Sequence, residues 1–529
     1  AATAAGSVDG GDGFDTLVIG NVTNVDSAAE GAEYTGFDAL RVAGTLDVSF
    51  VSAGMTSLQV TGNAVLTNMS AALAGNIALL ADSAGGSTFA LTTATGTSDV
   101  VTIAMGTGLT TSEATDFGGA LVVTGFETLN LATNAGPSAS LANQNSTIAS
   151  ITGANLTAIN LTGQSITLSN AATTLATTID GTALTGVLTV AGNVASGTTV
   201  SGGSAADIFT AGTNNGATYN GNGGNDGLTA TVAQLVATGE NDTGFDGGAD
   251  TDTLTVSTAA ATLTDNHFTN VTGVEALVTS GTGDTSISTG GSFKAAFATG
   301  VTLTTGALAD ESQYTLNAGL YSQNVTVTTN GTNLLMNAAG ENQTVITGAG
   351  DDTITVGNDA THTGATGASS GIIINSGAGA DTIVFDYGNL AVTTGTQVAA
   401  IDAGTGADVI TKGAASGTAS VIADNSTSAT SAVIYTLAAG DSLATAAGHD
   451  TITGFEIADG TNQSDVLNFG GNAAVGTVGT SVDFGTIKSS TVTAGIAQFD
   501  DAAAFGAALV ISDTNLADVV GYLAANTAT

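Results

Sequence analysis

Seven aspartates follow glycine-rich turns at a constant offset, and their chemistry is that of a ligand for a hard cation. The pattern is Gly-Gly-x-Gly-x-Asp-x-apolar, and it is complete at Gly10-Gly11-Asp12-Gly13-Phe14-Asp15-Thr16-Leu17. A middle cluster carries one substitution per copy: Gly202-Gly203-Ser204-Ala205-Ala206-Asp207-Ile208-Phe209, Gly221-Asn222-Gly223-Gly224-Asn225-Asp226-Gly227-Leu228 and Gly247-Gly248-Ala249-Asp250-Thr251-Asp252-Thr253-Leu254. A later cluster lacks only the first glycine: Gly348-Ala349-Gly350-Asp351-Asp352-Thr353-Ile354, Gly377-Ala378-Gly379-Ala380-Asp381-Thr382-Ile383 and Gly404-Thr405-Gly406-Ala407-Asp408-Val409-Ile410. Calcium takes six to eight oxygens at about 2.3–2.6 Å. Glycine lets main-chain carbonyls turn toward an ion without a Cβ in the way. The aspartate brings charge, and the apolar residue two positions on starts a strand that anchors the turn. One such turn cannot fill the shell, so a turn from the next coil must face it. Without an ion the same letters describe ordinary Asn/Asp-Gly turns.

These turns must sit between strands. Short β-type runs recur between Gly, Asn, Asp and Thr punctuation: Thr16–Ile19, Ser57–Val60, Val100–Ile103, Leu121–Thr124, Val187–Val190, Thr253–Val256, Thr353–Val356 and Ile372–Ile374. A second unit repeats as Gly36-Phe37-Asp38-Ala39-Leu40-Arg41-Val42, Gly125-Phe126-Glu127-Thr128-Leu129-Asn130-Leu131 and Gly273-Val274-Glu275-Ala276-Leu277-Val278, with a fainter relative at Leu156-Thr157-Ala158-Ile159-Asn160-Leu161. Its alternation has the period of a strand, which makes it a rung of a ladder. Helical spacing is sparse: Asp513 as N-cap before Leu516, Val519, Val520 and Leu523, and a weaker stretch over Ala230–Ala237. The expected fold is all-β, an elongated parallel β-solenoid or β-roll with calcium-binding Gly-Asp turns, few short helices and a short C-terminal helix. The organisation read from the sequence is a ladder region with one motif over 1–200, a cation-binding cluster over 201–260, a ladder region over 261–345, a second cluster over 346–415 and a capping β region with the terminal helix over 416–529.

Composition narrows the partners. Four basic residues stand against 45 acidic ones among 529, a formal charge of −41. Nucleic acid and anionic membrane would both be repelled, and bound cations would relieve the self-repulsion. Acidity alone is also what keeps a surface soluble. With 42% hydrophobic residues the chain can nonetheless build a core. The absence of cysteine excludes disulfides and thiolate metal sites, leaving a hard cation as the staple. No apolar run approaches the ~18–20 residues that span a bilayer.

The turns resemble the calcium-binding nonapeptide of the RTX family, which forms parallel β-rolls. The resemblance carries the family's aspartate ligand onto Asp15, Asp207, Asp226, Asp252, Asp352, Asp381 and Asp408, with main-chain contributions at Gly11, Gly13, Gly348, Gly350, Gly377, Gly379, Gly404 and Gly406. Asp12, Asp250 and Asp351, and further Asp9, Asp246 and Asp402, are flanking acids. The spacing departs from the family's continuous nine-residue step: the middle aspartates lie 19 and 26 residues apart and the later ones 29 and 27. Short stapled stretches within a longer solenoid are therefore expected, and the pairing of the turns stays open. The Gly-Phe-Glu-Thr-Leu-Asn-Leu unit and Ala94-Thr95-Gly96-Thr97-Ser98-Asp99-Val100 are similar to RTX-type surface-layer (S-layer) proteins of Gram-negative bacteria. His449-Asp450-Thr451-Ile452-Thr453-Gly454-Phe455-Glu456 and Ser464-Asp465-Val466-Leu467-Asn468-Phe469 are similar to the family's capping segment.

The resemblance implies type I secretion, a place at the bacterial cell surface, and a lattice of identical copies held by several Ca2+. Lipopolysaccharide would be reached only through a domain not seen in this sequence. The alternative is an RTX-type adhesin or extracellular filament. Catalysis is not expected: no His-Glu-x-x-His is present, and Gly367-Ala368-Ser369-Ser370-Gly371 matches a serine-hydrolase elbow in letters but not in flanking elements.

Overall fold

A computed structural model describes the chain from Gly6 to Tyr522 with internal gaps, the longest at 134–144, 332–341, 359–370, 387–396, 438–450, 454–465 and 470–482. It divides into two compact units, 1–255 with 266–274 and 256–265 with 275–529. Both are parallel β-solenoids.

In the first unit successive strands alternate between two ladders. Thr128–Thr133 pairs in parallel with Val100–Met105 and with Ala158–Gly163, and skips the strand between them in each case. The skipped strands, Phe117–Thr124 and Ser146–Thr152, pair with one another. One coil thus contributes a strand to each ladder. Strict register stacks the inward side chains into columns: Val101, Leu129, Ile159, Ile179, Val200, Tyr219 and Phe245 follow one another, and all are buried. Full burial of such a side chain contributes about 1.5–3 kcal/mol. Period-two alternation turns the residues between them outward, where Asn160 Nδ2 donates to Asn130 Oδ1 (2.9 Å) and Asn130 Nδ2 to Thr102 Oγ1 (3.2 Å).

The second unit repeats the plan. One ladder stacks Leu277, Leu303, Val327, Ile354, Ile383, Ile410 and Tyr435. The other stacks Leu263, Ile287, Leu316, Val345, Ile374 and Ile401. An antiparallel hairpin, Ser489–Thr493 with Ile496–Asp500, follows, and Ile487, Phe499, Val519 and Tyr522 form a small core there.

The strands expected from the sequence are present, two with the same bounds (Thr16–Ile19 and Thr253–Val256), one shorter by a residue (Leu188–Val190 for Val187–Val190) and the others longer. The α-helices are short: Ala28–Gly31, Ala71–Ala74 and Gly291–Ala296. Over its described residues, 230–236, the stretch Ala230–Ala237 is not an α-helix. Within it Val232–Gln234 makes one 3-10 turn, held because Gln234 Oε1 accepts from Thr231 while its Nε2 donates to Ala211 O and Gly212 O on the neighbouring coil. Of the terminal helix, Asp518, Val519 and Tyr522 are helical; Asp513, Leu516, Val520 and Leu523 lie outside the described residues. No helix among the described residues is long and apolar enough to cross a membrane.

Truncating the middle of a column, Ile159→Ala, is expected to cost about 2–5 kcal/mol, whereas Thr178→Ala on the outward face should stay within about 0.5 kcal/mol. Denaturant midpoints of the two variants against the parent check this.

Candidate cation-binding turns

Each motif aspartate stands one residue before a strand, except Asp408, which is the second residue of Ala407–Lys412, and each stands two before an inward apolar residue, so the alternation that buries Phe209, Leu228, Leu254, Ile354, Ile383 and Ile410 also turns the carboxylate inward. Asp207, Asp226, Asp252, Asp352, Asp381 and Asp408 are at most 2% exposed. A buried carboxylate needs hydrogen-bond donors, and one oxygen finds them on the adjacent coil. Asp207 Oδ1 accepts from Leu188 N (2.7 Å), Asp226 Oδ1 from Asp207 N (2.6 Å) and Asp252 Oδ1 from Asp226 N (2.7 Å). In the second unit Asp352 Oδ1 accepts from Val325 N (2.7 Å), Asp381 Oδ1 from Asp352 N (2.8 Å) and Asp408 Oδ1 from Asp381 N (2.9 Å). The irregular spacing is therefore one coil each time, and consecutive copies within a cluster are the ones that pair.

The first copy pairs differently. Asp15 N donates to Asp38 Oδ2 (2.8 Å), and in the same manner Asp99 N donates to Glu127 Oε2 (2.7 Å). Asp38 and Glu127 belong to the Gly-Phe-Asp/Glu unit read from the sequence only as a rung. The signal that could have found them is the acid directly before a period-two strand.

The second carboxylate oxygen is the exceptional atom. Oδ2 of Asp15, Asp226, Asp352 and Asp381 is buried and accepts no hydrogen bond. Asp207 departs from them: its Oδ2 accepts from Gly203 N at 2.7 Å. Glycine makes the surroundings. A Cβ on Gly202, Gly221 or Gly247 would collide with Oδ2 of Asp207, Asp226 or Asp252 in the same turn, and with the carbonyl oxygen of Gly221, Gly247 or Gly273 on the next coil. A carboxylate oxygen and a main-chain carbonyl thus converge on each first-position glycine. In four of the copies the second and fourth positions adopt positive φ, which favours glycine, although Asn222 and Asp250 stand at two of them. Their φ values are 86° and 120° at Gly11 and Gly13, 72° and 106° at Asn222 and Gly224, 103° and 82° at Gly248 and Asp250, and 88° and 143° at Gly377 and Gly379, a region that side chains resist.

Burial pushes Asp226 up to about 7, helped by the charges of Asp207, Asp252 and Asp250. It pushes Asp352 up to about 6, with Asp381 and Asp351 adding. Asp207 and Asp381 are raised by burial as well. Hydrogen bonds offset part of each shift, from the main chain in all four and also from the side chain of Thr347 at Asp352 and of Ser376 at Asp381.

The flanking acids stay outside. Asp12, Asp246, Asp250 and Asp351 are exposed, and two of them tie coils together, Asp250 Oδ2 accepting from Gly224 N (3.2 Å) and Asp351 Oδ1 from Ala380 N (2.7 Å). Asp9 Oδ1 accepts from Gly11 N (3.2 Å) within its own turn, and Asp402 lies 3.5 Å from Asn375 Nδ2. The glycines divide as well: Gly348 and Gly350 are buried, Gly11 and Gly13 are exposed, and Gly404 and Gly406 lie outside the described residues. Among the described residues no three His, Cys, Asp or Glu side chains gather at metal-binding distance, so a cation in these turns would draw on one or two carboxylates and on main-chain oxygen.

Comparison of the chain with protein-family models, with curated proteins and with solved structures finds no match. The chemistry of the turns therefore carries the functional argument.

The raised values give a signed pH dependence. Above the ordinary carboxylate range the unfolded chain has released these protons while the folded chain still holds them, so without divalent cations folding stability falls as pH rises toward 6–7 and levels off beyond. The thermal midpoint of ion-free protein should be lower at pH 8 than at pH 5. The drop should shrink in Asp226→Asn, which carries no proton to lose.

Proposed function

We propose that this chain is a calcium-stapled structural β-solenoid, exported through a type I system, that assembles with copies of itself into an extracellular surface layer. The observation that supports the calcium reading is that Oδ2 of Asp15, Asp226, Asp352 and Asp381 is buried with no hydrogen-bond donor. An unpaired buried charge costs several kcal/mol; at neutral pH it is relieved by a cation or a proton. A divalent ion held by carboxylate and carbonyl oxygen supplies positive charge where the chain has four basic residues in all.

Calcium fits the donor set best. Every converging oxygen is hard, the chain has no thiolate, and magnesium's demand for a near-ideal octahedron suits irregular main-chain cradles poorly. The residues that would hold it are Asp15, Asp226, Asp252, Asp352, Asp381 and Asp408 with the carbonyls of the facing glycine turns. The ion would supply charge neutralisation and a bond between successive coils. Extracellular-type sites have dissociation constants of roughly 10⁻⁴–10⁻³ M, far above cytosolic calcium, so the acidic chain would stay exportable inside and fold outside. The outward acids then offer sites where calcium bridges neighbouring copies, and the similarity of the Gly-Phe-Glu-Thr-Leu-Asn-Leu unit to surface-layer proteins gives the assembly its form.

Asp226→Asn should lose at least one calcium from the number bound by the parent, counted by native mass spectrometry. In 100-fold excess of calcium over its dissociation constant each occupied site contributes about 2.7 kcal/mol, which the variant should forfeit. An unchanged count would contradict the calcium reading. Negative-stain images of protein with calcium should show periodic sheets that disperse in EGTA; filaments or monomers would contradict the surface-layer assignment while leaving the calcium sites intact.

A further inference from the structure

The chain has one arginine, Arg41, and 45 acidic residues, yet the arginine pairs with none of the acids among the described residues. It stands in the strand Ala39–Asp47 between the buried Leu40 and Val42, so the alternation turns it outward. Within the described residues its guanidinium makes one bond, from Nε to Gln59 Oε1, 2.6 Å away on the next coil. The acids nearest in sequence are engaged elsewhere. Asp38 Oδ2 accepts from Asp15 N (2.8 Å), and Asp47 accepts from Ser49 N, Ser49 Oγ and Asn68 Nδ2.

The column around it is otherwise uncharged. Register runs Val18, Arg41, Gln59, Ala78, Ala104 and Ala132 across successive coils of one ladder. The alanines keep the surface beyond Gln59 low, and Val18 on the other side is 60% exposed. A guanidinium has five N–H donors in a planar fork. The bond to Gln59 uses one and fixes the plane; the others suit a carboxylate, which such a fork grips through two parallel bonds. Charges more than about 8 Å away are largely screened at physiological salt. A local positive spot therefore persists on a chain whose formal charge is −41.

We propose that Arg41 is a contact point between copies of this chain, its guanidinium gripping a carboxylate of a second copy while Val18 is covered. Charge complementarity selects that occupant. Every copy carries the unpaired guanidinium together with exposed acids such as Asp12, Asp250 and Asp351, so both halves of the contact are present in each. Copies of such an acidic chain repel one another over most of their surface. An arginine beside an exposed aliphatic side chain gives their approach a fixed point, and arginine is enriched at the positions that dominate interfaces. This inference rests on the self-assembly reading above and names one residue through which it acts.

The test is light scattering of the calcium-loaded full chain over a concentration series, with bound calcium counted by native mass spectrometry. Arg41→Gln removes the charge from an outward position, so it should melt as the parent does and keep the parent's calcium count. It should raise the concentration at which copies associate by at least about tenfold, the scale of an interface hot spot. Gln59→Glu gives the guanidinium an acid of its own chain and should weaken association in the same direction with the fold intact. Added salt should weaken the association of the parent more than that of Arg41→Gln. If Arg41→Gln associates at the parent's concentration, the inference is overturned and the self-assembly reading stands. If Arg41→Gln loses binding to lipopolysaccharide vesicles while association is unchanged, the guanidinium serves an anionic glycan and the inference is likewise overturned. A parent that stays monomeric with its calcium bound overturns the inference and the self-assembly reading together, leaving the calcium reading in place.

Discussion

A buried carboxylate at the head of the motif strand, bonded through Oδ1 to the adjacent coil and, at Asp226, Asp352 and Asp381, without a donor at Oδ2, is the constraint around which these solenoids are arranged. The bonded oxygen is not optional. It receives the main-chain N–H of the preceding coil at a point where the ladder has not yet begun, so removing the side chain would strand a donor in the interior. The bare oxygen is what the same geometry leaves over. A carboxylate can be fixed by one coil and still offer charge to an ion, and the residue thus serves register and ligation together.

That dual use explains the glycine pattern. Positive φ at the second and fourth positions reverses the chain tightly enough to bring it back over the aspartate. The missing Cβ at the first position in the middle cluster leaves the aspartate's second oxygen and the next coil's carbonyl in contact range of one Cα. Where a Cβ does stand there, as at Thr347 and Ser376, it brings an oxygen of its own. The columns of Val, Leu, Ile, Phe and Tyr behind the turns hold adjacent coils in a single register, because a slip of one residue would turn every buried side chain outward. Without that register the carboxylates could not stack.

Much of this was legible in the residues themselves. The Gly-Gly-x-Gly-x-Asp turns announced their aspartates, and period-two alternation at Thr253–Val256 or Leu129-Asn130-Leu131 announced strands with one buried face. The pairing of turns was not legible, since coils of 19, 26, 27 and 29 residues obey no fixed step and the stack is set by which inward side chains meet. Asp38 and Glu127 escaped notice because their unit has one glycine and reads as an ordinary rung; only the adjacent coil shows that each receives the N–H of an aspartate. Ala230–Ala237 misled for a related reason. Its apolar spacing suits a helix, but Gln234 spends its amide on the neighbouring coil and Leu235 is drawn into the core, which stops the helix after one turn.

The most direct test is a crystal structure of the calcium-loaded protein with anomalous scattering recorded at long wavelength. Anomalous peaks should lie about 2.3–2.6 Å from Oδ2 of Asp226, Asp352 and Asp381. Density that leaves these oxygens in contact only with water or with a donor of the chain would contradict the account.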